Sequence, residues 1–209
     1  MGQLPTTEKT IESVWDIAAD ESRSVTFLHV LVMLILIAIG FILGALGSIV
    51  FPLAFGVNYF WIGIVVQQVG SIWFGGWGII ASTIFPFLSN GIAGTPWYIS
   101  AAYIPANALQ AFLPAWVFRQ FKADPALTSL RDYTLLLAAM IVSSGFGALW
   151  SSLVLVRSFD LLEIESLPLY IWGWFGGNVV AGLVLNFLLL KTLSPVVVRT
   201  LAFVKRWWA

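Results

Sequence analysis

The stretch FLHVLVMLILIAIGFILGALGSIVF, Phe27–Phe51, decides the class of this protein. Its only titratable side chain is His29, and about 20 consecutive apolar residues are enough for a helix to cross a lipid bilayer once. The lack of charge continues far beyond this stretch, because no Lys, Arg, Asp or Glu occurs between Arg23 and Arg119. A segment of that length and composition has to cross the bilayer several times.

The overall composition excludes most other classes of protein. Of the 209 residues, 60% are hydrophobic and only 10% are charged, whereas about 25% are charged in an ordinary soluble domain. A soluble enzyme or a disordered protein is therefore excluded. The chain has no cysteine, which excludes a disulfide scaffold and thiolate metal sites. Ten Lys and Arg balance ten Asp and Glu, so we expect no nucleic-acid-binding surface.

We predict an all-α integral membrane protein with about six transmembrane helices, and five or seven are the alternatives. Clusters of Gly, Pro, Asn and Trp separate the apolar runs. The predicted spans are Phe27–Phe51, Val57–Ser71, Trp73–Ser89, Pro96–Phe118, Tyr133–Val156 and Pro168–Leu190. Three glycines in the run Gly75-Gly76-Trp77-Gly78 predict a short or broken helix in the region 73–78, which is tolerated in a membrane only against protein or a cavity.

The charges predict the orientation of the transmembrane domain, residues 25–192. Basic residues follow the fourth and sixth predicted spans, whereas Asp160, Glu163 and Glu165 follow the fifth. Short loops rich in Lys and Arg stay in the cytoplasm. We therefore expect a multi-pass protein of the cytoplasmic (inner) membrane of a prokaryote, with both termini in the cytoplasm.

Both terminal segments are predicted to lie at the membrane surface. In residues 1–24, Ile11, Val14, Trp15 and Ala18 recur at helical spacing among acidic residues, which is typical of an amphipathic helix. This helix could dock on lipid or on protein. The basic segment 193–209 is predicted to continue as a cytoplasmic or interfacial helix, and its Trp207 and Trp208 are expected near the lipid headgroups.

The polar residues inside the predicted spans are amides and hydroxyls. No nucleophile–base pair, metal-ligand cluster or catalytic motif is present in the sequence, so we predict no catalytic residue, no metal, no cofactor and no enzymatic activity. The amides either join helices by hydrogen bonds or line a cavity for a ligand. On the second interpretation the candidate ligand-binding residues are Trp61, Asn90, Trp97, Asn107, Gln110, Trp150, Trp174 and Asn178.

Small residues on the first and sixth spans predict close helix packing. Gly40 and Gly44 form one GxxxG motif, and Gly173 and Gly177 form another. Such motifs let two helix backbones approach closely. Ser48 extends the first motif and Ala181 the second, and the two stripes are interpreted either as packing within the chain or as a face for a partner.

A series of Trp, Gly and Pro motifs extends from about Tyr59 to Pro195. It begins with Phe60-Trp61 and the Trp73–Gly78 turn. It continues through Ser89-Asn90-Gly91, Asn107, Arg119, Arg131-Asp132 and the closing run Ile171-Trp172-Gly173-Trp174-Phe175-Gly176-Gly177-Asn178, followed by Gly182 and Pro195. In these motifs the chain resembles the MASE (membrane-associated sensor) family of integral membrane sensor modules, over about two thirds of its length.

The resemblance implies a sensor that binds a small or lipidic ligand, or a membrane protein, and transmits a conformational change. The sequence departs from the family pattern at two positions, since Ile62 stands where a proline is usual and Asn178 where an acid is usual. Family members usually continue into a histidine-kinase or cyclic-dinucleotide output domain. This sequence has none, so we expect either a stand-alone module, which Met1 and the N-terminal helix favour, or a piece of a longer sensor protein. A stand-alone module would act through a partner or as a homo-oligomer.

Two other functions remain open. Six spans, the small-residue stripe Gly40, Gly44 and Ser48, and a Gly-rich third span are similar to the S components of energy-coupling-factor vitamin transporters. That resemblance implies a vitamin pocket around Asn90, Trp97, Asn107 and Trp174, with the stripe as the docking face. The third possibility is a structural accessory subunit of a larger membrane complex, in contact only with lipids and protein.

Overall fold

The computed structural model describes residues 13–18, 21–54, 57–159 and 161–209, and in them the chain is mostly helical. The helices are α1 (Phe27–Val50), α2 (Gly63–Phe74), α3 (Gly76–Ile92), α4 (Trp97–Ala102), α5 (Ile104–Gln120), α6 (Leu130–Leu153) and α7 (Leu167–Val197). A short antiparallel hairpin of β1 (Pro52–Ala54) and β2 (Val57–Asn58) follows α1. A π turn, Val154–Ser158, extends α6, and a 3-10 turn, Ile164–Ser166, precedes α7.

The prediction of an all-α fold is confirmed, and the described residues also contain helices suited to a membrane. Three helical stretches of the described residues are long and apolar enough to cross a membrane, namely Phe27–Val50, Leu130–Ser158 and Ile164–Val197. Their outward surfaces are strongly apolar, and on α1 the exposed side chains include Leu34, Ile42 and Ile49. An apolar exterior of this kind is what a lipid solvent requires.

The bundle has two ends that are distinguished by what lies there. The C-terminal tail, residues 198–209, lies at one end, which we call the tail end, and the β1–β2 hairpin lies at the other, which we call the hairpin end. α1 begins at the tail end, where His29 lies 6.2 Å from Trp77, and it ends at the hairpin. α2 returns to the tail end, where Gly76 N–H donates to Trp207 O at 2.7 Å.

α2 is the central helix of the bundle. Every residue from Gly63 to Trp73 is buried, because α1, α3, α5 and α7 pack around it. The only polar side chains in α2 are Gln67, Gln68 and Ser71. Burying the helix on all sides therefore costs little free energy where these three side chains form hydrogen bonds.

The predicted interruption of the helix lies at Gly75. This residue has φ +56° and ψ −129°, a backbone conformation that a side chain disfavours, and it alone separates α2 from α3. The two helices can fold back on each other because Gly78 has no side chain. A Cβ atom there would lie 2.4 Å from Gly70 O.

The predicted small-residue stripes pack within the chain. A Cβ atom on Gly40 would lie 2.5 Å from the Phe85 ring of α3, and one on Gly44 would lie 2.8 Å from Ser89 Oγ. Ser48 is buried at the end of this stripe. On α7, a Cβ atom on Gly173 would meet Leu53, one on Gly177 would meet the backbone of Asn58 and Tyr59, and Ala181 is fully buried. In this conformation neither stripe is free for a partner.

The terminal segments differ from their predicted form. Residues 1–12 and 19–20 lie outside the described residues, whereas residues 13–18 form a turn and residues 21–26 are irregular. The predicted C-terminal helix ends with α7 at Val197, and the tail folds back across the tail end as an irregular strap in which Phe203 is fully buried. The carbonyl groups of Val204, Arg206, Trp207 and Trp208 accept hydrogen bonds from N–H groups of the bundle, which holds the strap in its irregular form.

Candidate functional site

A cavity with uncharged walls lies towards the hairpin end of the bundle. Its free volume is about 10 Å³, which is room for roughly one water molecule. The residues that line it come from β2, the segment before α2, and helices α3, α5 and α7, and they are Asn58, Trp61, Pro86, Asn90, Asn107, Trp174 and Asn178. Four amides, two indoles and a proline can bind an uncharged molecule, and they contain no acid or base.

Local sequence explains how these side chains converge. Trp174 and Asn178 are four residues apart on α7, and Pro86 and Asn90 are four apart on α3, so each pair lies on one helix face. Trp61 stacks on Phe85 with 6.0 Å between ring centroids. Gly177 lets α7 approach the hairpin so closely that a Cβ atom there would lie 2.7 Å from Asn58 O.

Three cavity-lining side chains carry a buried N–H group without a hydrogen-bond partner. These groups are Trp61 Nε1, Trp174 Nε1 and Asn178 Nδ2. Leaving a buried donor unpaired costs about 1–3 kcal/mol, so most such groups in proteins are bonded to protein, water or a ligand. Their presence around one cavity indicates a site that is completed by something that accepts hydrogen bonds.

Five of the eight predicted ligand-binding residues line this cavity, namely Trp61, Asn90, Asn107, Trp174 and Asn178. Gln110 lies beside it. Gly147 of α6 lies close to both Gln110 and Trp174. A Cβ atom on Gly147 would lie 2.8 Å from Gln110 Nε2 and 3.1 Å from Trp174 Nε1. Both amide atoms of Gln110 are buried without a partner, so it extends the same polar region.

Two predicted residues lie elsewhere and do not line the cavity. Trp97, which begins α4, is 72% exposed at the bundle surface. Trp150 lies on the outer side of α6, where its Nε1 donates to Ala102 O at 2.8 Å. Its indole thus joins α6 to α4. The sequence gives the position of each Trp along its helix, whereas the direction in which its side chain points depends on how the helices pack together.

Two lining residues were not predicted. Asn58 enters the cavity wall from β2, and Pro86 from the middle of α3. Asn58 carried no signal in the sequence, because its place depends on the hairpin that folds back over α7. A proline inside an apolar helix interrupts the backbone hydrogen bonds of that helix. Pro86 could therefore have been recognised in the sequence as a site of irregular helix structure.

Hydrogen bonds join the cavity wall to the central helix. Gln67 Nε2 of α2 donates to Asn107 Oδ1 at 3.2 Å and to Ser82 O at 3.3 Å. The next residue, Gln68, donates to Ser143 Oγ at 3.3 Å and accepts from Asn186 Nδ2. Gln67 thus connects α2 to a cavity-lining residue, whereas Gln68 ties α2 to α6 and α7.

The other end of α2 holds the C-terminal tail. Val204 N–H donates to Trp73 O at 3.0 Å, and Trp73 Nε1 donates to Ser194 Oγ at 2.8 Å. The same helix is therefore bonded to the cavity wall through Gln67 and to the tail through its last turn. Helix α5 joins the same two regions, since its Asn107 lines the cavity and its Arg119 donates to the tail.

Arg119, at the end of α5, holds the tail in place. Its guanidinium donates to Val204 O at 2.9 Å and also to Arg206 O, and to the helix carbonyls Ser71 O and Ala115 O. It lies 4.8 Å from the Trp15 ring centroid and 5.2 Å from that of Trp207. Helix C-termini and aromatic faces both stabilise a cation. From the sequence, Arg119 was noted only as the end of the charge-free stretch and as a member of the MASE-like motif series.

The N-terminal segment is fastened to the same tail by ion pairs. Lys205 Nζ lies 2.6 Å from Glu21 Oε2, and Arg23 contacts the other Glu21 oxygen. The hydrogen bond from Lys205, followed by that from Arg23, lowers the pKa of Glu21 to about 2. Trp15 also packs on Phe203 of the tail, with 5.2 Å between ring centroids, and its Nε1 donates to Ala123 O, after α5, at 2.7 Å.

The lowered pKa of Glu21 predicts a pH dependence. A depressed carboxyl pKa stabilises the fold above the ordinary value of about 4.3, and this contribution is lost as the pH falls towards 2. Glu21→Gln should therefore be less stable than the wild type at pH 7, by up to about 1 kcal/mol. Thermal unfolding in detergent micelles should show the difference disappearing on acidification. Glu165→Gln, at an exposed acid, is the control and should show no such trend.

Comparison with known proteins gives no further guide to this site. No protein-family model matches the chain, and neither a curated protein nor a solved structure matches it. Among the described residues there is no group of three or more His, Asp or Glu that could hold a metal ion. Its function therefore has to be inferred from the cavity, α2 and the tail.

Proposed function

We propose that this chain is a non-enzymatic membrane sensor module, of the kind that the MASE resemblance implies. It binds a small molecule in the cavity and passes a conformational change to a membrane protein partner, or to a second copy, through the tail. The observation that carries the proposal is the double attachment of α2, which bonds to cavity-lining Asn107 through Gln67 and to the tail through Trp73 O.

The proposed topology has six crossings, formed by α1, α2, α3, α5, α6 and α7. These helices run alternately between the tail end and the hairpin end. α2 is about 18 Å long at 1.5 Å per residue, which is shorter than the hydrocarbon core of about 30 Å. Other helices surround α2 on all sides, so its ends do not have to reach both surfaces of the bilayer.

The tail end is proposed to face the cytoplasm of a prokaryotic cell. It carries the basic residues Lys122, Arg131, Arg199, Lys205 and Arg206, whereas Glu163 and Glu165 lie in the segment before α7 at the other end. Basic short loops remain inside. On this proposal both termini are cytoplasmic, and the tail is available to a membrane protein partner or to a second copy.

The packing of α1 favours a sensor over a transporter subunit of the S-component type. The latter would dock through the stripe Gly40, Gly44 and Ser48. That stripe faces Phe85 and Ser89 of α3, so docking there would require α1 to leave the bundle. The orphaned N–H groups in the cavity also favour a ligand-binding module over a purely structural accessory subunit.

A double-mutant cycle tests the proposed coupling. The chain has no cysteine, so spin labels on Leu130→Cys and Leu201→Cys, both 82% exposed, report the position of the tail. We expect Asn107→Leu to change the label-to-label distance distribution in lipid nanodiscs, and the change should be absent in a Gln67→Leu background. Coupled contacts typically show 0.5–3 kcal/mol of non-additivity.

Ser143→Ala is the matched control for this cycle. Ser143 contacts Gln68, the neighbour of Gln67, and lies outside the cavity wall. The control should leave the label distances unchanged. The coupling is refuted if Asn107→Leu leaves the tail unmoved, or if its effect simply adds to that of Gln67→Leu.

A further inference from the structure

A proline interrupts the backbone hydrogen bonds of α3 at the cavity wall. Pro86 lies inside the helix and lines the cavity. Because proline has no backbone N–H, the carbonyl four residues earlier, Ser82 O, loses the hydrogen bond that an α-helix would give it. Ser82 is fully buried, and a buried carbonyl without a partner costs free energy. Ser82 O therefore needs a donor from outside the regular hydrogen bonds of α3.

The side chain of Gln67 in α2 is that donor. Its Nε2 donates to Ser82 O at 3.3 Å and to Asn107 Oδ1 at 3.2 Å. A carboxamide group carries two N–H bonds, so one group can serve both acceptors. The N–H that α3 lacks is thus supplied by α2, through a side chain that also holds Asn107 in the cavity wall.

The part of α3 that begins at the proline, residues 86–92, forms one side of the cavity. Pro86 and Asn90 line the cavity, whereas the side chains of Leu88 and Ile92 are exposed at the surface of the bundle. Sharp bends in helices occur mostly at prolines. This segment can therefore turn towards its exposed side as a unit.

The neighbouring helix α1 presents a smooth surface to this segment. Ser89 lies against Gly44, where a Cβ atom would come within 2.8 Å of Ser89 Oγ, so at this contact α3 has no side chain of α1 to pass. The free volume of the cavity is about 10 Å³, which is room for roughly one water molecule. Any larger molecule can enter only if the wall moves.

We propose that Gln67 is a positioning residue that closes a hinge in α3. While its carboxamide donates to Ser82 O, residues 86–92 stay against the cavity. When that hydrogen bond breaks, the segment turns outwards at Pro86, and the cavity opens to a molecule larger than water. The inference rests on the proposed function, since the same carboxamide binds Asn107 and thereby begins the coupling through α2.

A second double-mutant cycle tests whether Gln67 replaces the missing N–H. Gln67→Leu should lower the SDS concentration at which the protein unfolds in mixed micelles, because Ser82 O loses its donor. Pro86→Ala returns a backbone N–H to α3. In that background the shift caused by Gln67→Leu should fall by roughly half, since only the hydrogen bond to Asn107 is then lost. A shift of unchanged size overturns the proposal.

Pro114→Ala is the matched control for Pro86→Ala. Pro114 is also a buried proline inside a helix, but the carbonyl four residues before it is Gln110 O, and Gln67 donates to Ser82 O and Asn107 Oδ1 instead. In this background the shift caused by Gln67→Leu should keep its full size.

Spin labels test the movement of α3 itself. Leu88→Cys follows the proline and Ile84→Cys precedes it, and each is paired with Leu169→Cys at the start of α7, all three at exposed side chains. In nanodiscs, Gln67→Leu should lengthen the distances from position 88 and leave those from position 84 unchanged. Adding Pro86→Ala should restore the wild-type distances. The hinge is excluded if position 88 stays in place, or if both positions move and Pro86→Ala restores neither.

NMR signals of ¹⁵N-labelled glutamine side chains give a readout that leaves Gln67 unchanged. Pro86→Ala should shift one of the two Nε2–H signals of Gln67, because Ser82 O then accepts from the backbone, whereas Pro114→Ala should leave both in place. Unshifted signals in Pro86→Ala overturn the proposal even if Gln67→Leu fails to fold.

Failure of this inference differs from failure of the proposed function. If position 88 does not respond to Gln67→Leu while Asn107→Leu still moves the tail through Gln67, the hinge is wrong and the coupling stands. If position 88 responds and the labelled tail does not respond to Asn107→Leu, the hinge stands and the sensor function fails.

Discussion

Gly78→Ala is expected to lower the free energy of unfolding by about 3 kcal/mol, as overpacking of a rigid core does. The new Cβ atom would lie 2.4 Å from Gly70 O and 2.6 Å from Ser71 Cα. Both atoms belong to the backbone of α2, which is enclosed by four other helices. Neither atom can move aside as the end of a flexible side chain would, so α2 and α3 must separate.

The measurement is reversible unfolding of the purified protein in mixed micelles of mild detergent and SDS. Gly91→Ala is the matched control on the same helix, because a Cβ atom there meets nothing within 4 Å. The control should be neutral or more stable by up to about 1 kcal/mol, since alanine restricts the unfolded chain. If Gly78→Ala is as stable as Gly91→Ala, α3 does not pack on α2 as described.

The helices could be predicted largely from the sequence because lipid demands uninterrupted apolar runs. The predicted first span, Phe27–Phe51, differs from α1 by one residue at its end. The predicted fourth span, Pro96–Phe118, was less accurate, since the chain forms two helices that meet at Tyr103. Pro105 explains the break: it has no N–H to donate into α4, and prolines favour the first turn of a helix.

The site could be predicted only in part, because depth in the membrane does not determine which way a side chain points. Asn107 and Asn178 were found because an amide within an apolar run is costly unless it faces protein. Asn58 was missed because its position depends on contact with Gly177, which is far away in the sequence. Trp150 was assigned to the cavity from its depth, yet its indole lies on the outer surface.

The tail shows how tertiary contacts override a local pattern. Its mixture of apolar and basic residues favours an interfacial helix. In a helix, the carbonyl of Val204 would accept a hydrogen bond from the N–H of Trp208. In the structure, the carbonyls of Val204 and Arg206 both accept from the guanidinium of Arg119. A single half-buried arginine that supplies several donors can thus replace the helix, and local sequence cannot reveal this.

Arg119→Met is expected to release the tail and to lower the free energy of unfolding by about 3 kcal/mol. Methionine keeps the length of the side chain but loses every donor, and each hydrogen bond from a charged group contributes about 1.5–3 kcal/mol. The cation–aromatic contacts with Trp15 and Trp207 are lost as well. Labels on Leu130→Cys and Leu201→Cys should report a much broader distance distribution.

Arg131→Met is the control, since this arginine lies at the same end of the bundle but is exposed and donates to the single carbonyl Phe121 O. It should leave both stability and the label distances close to those of the wild type. Arg119→Lys should be intermediate, because lysine keeps the charge but cannot bridge carbonyls of two segments with a planar fork. If Arg119→Met leaves the tail ordered, its remaining contacts with Trp73 O, Gly76 N–H and Glu21 are enough to hold it. A tail that still responds to Asn107→Leu in that variant would show that the change travels through α2 and does not need Arg119.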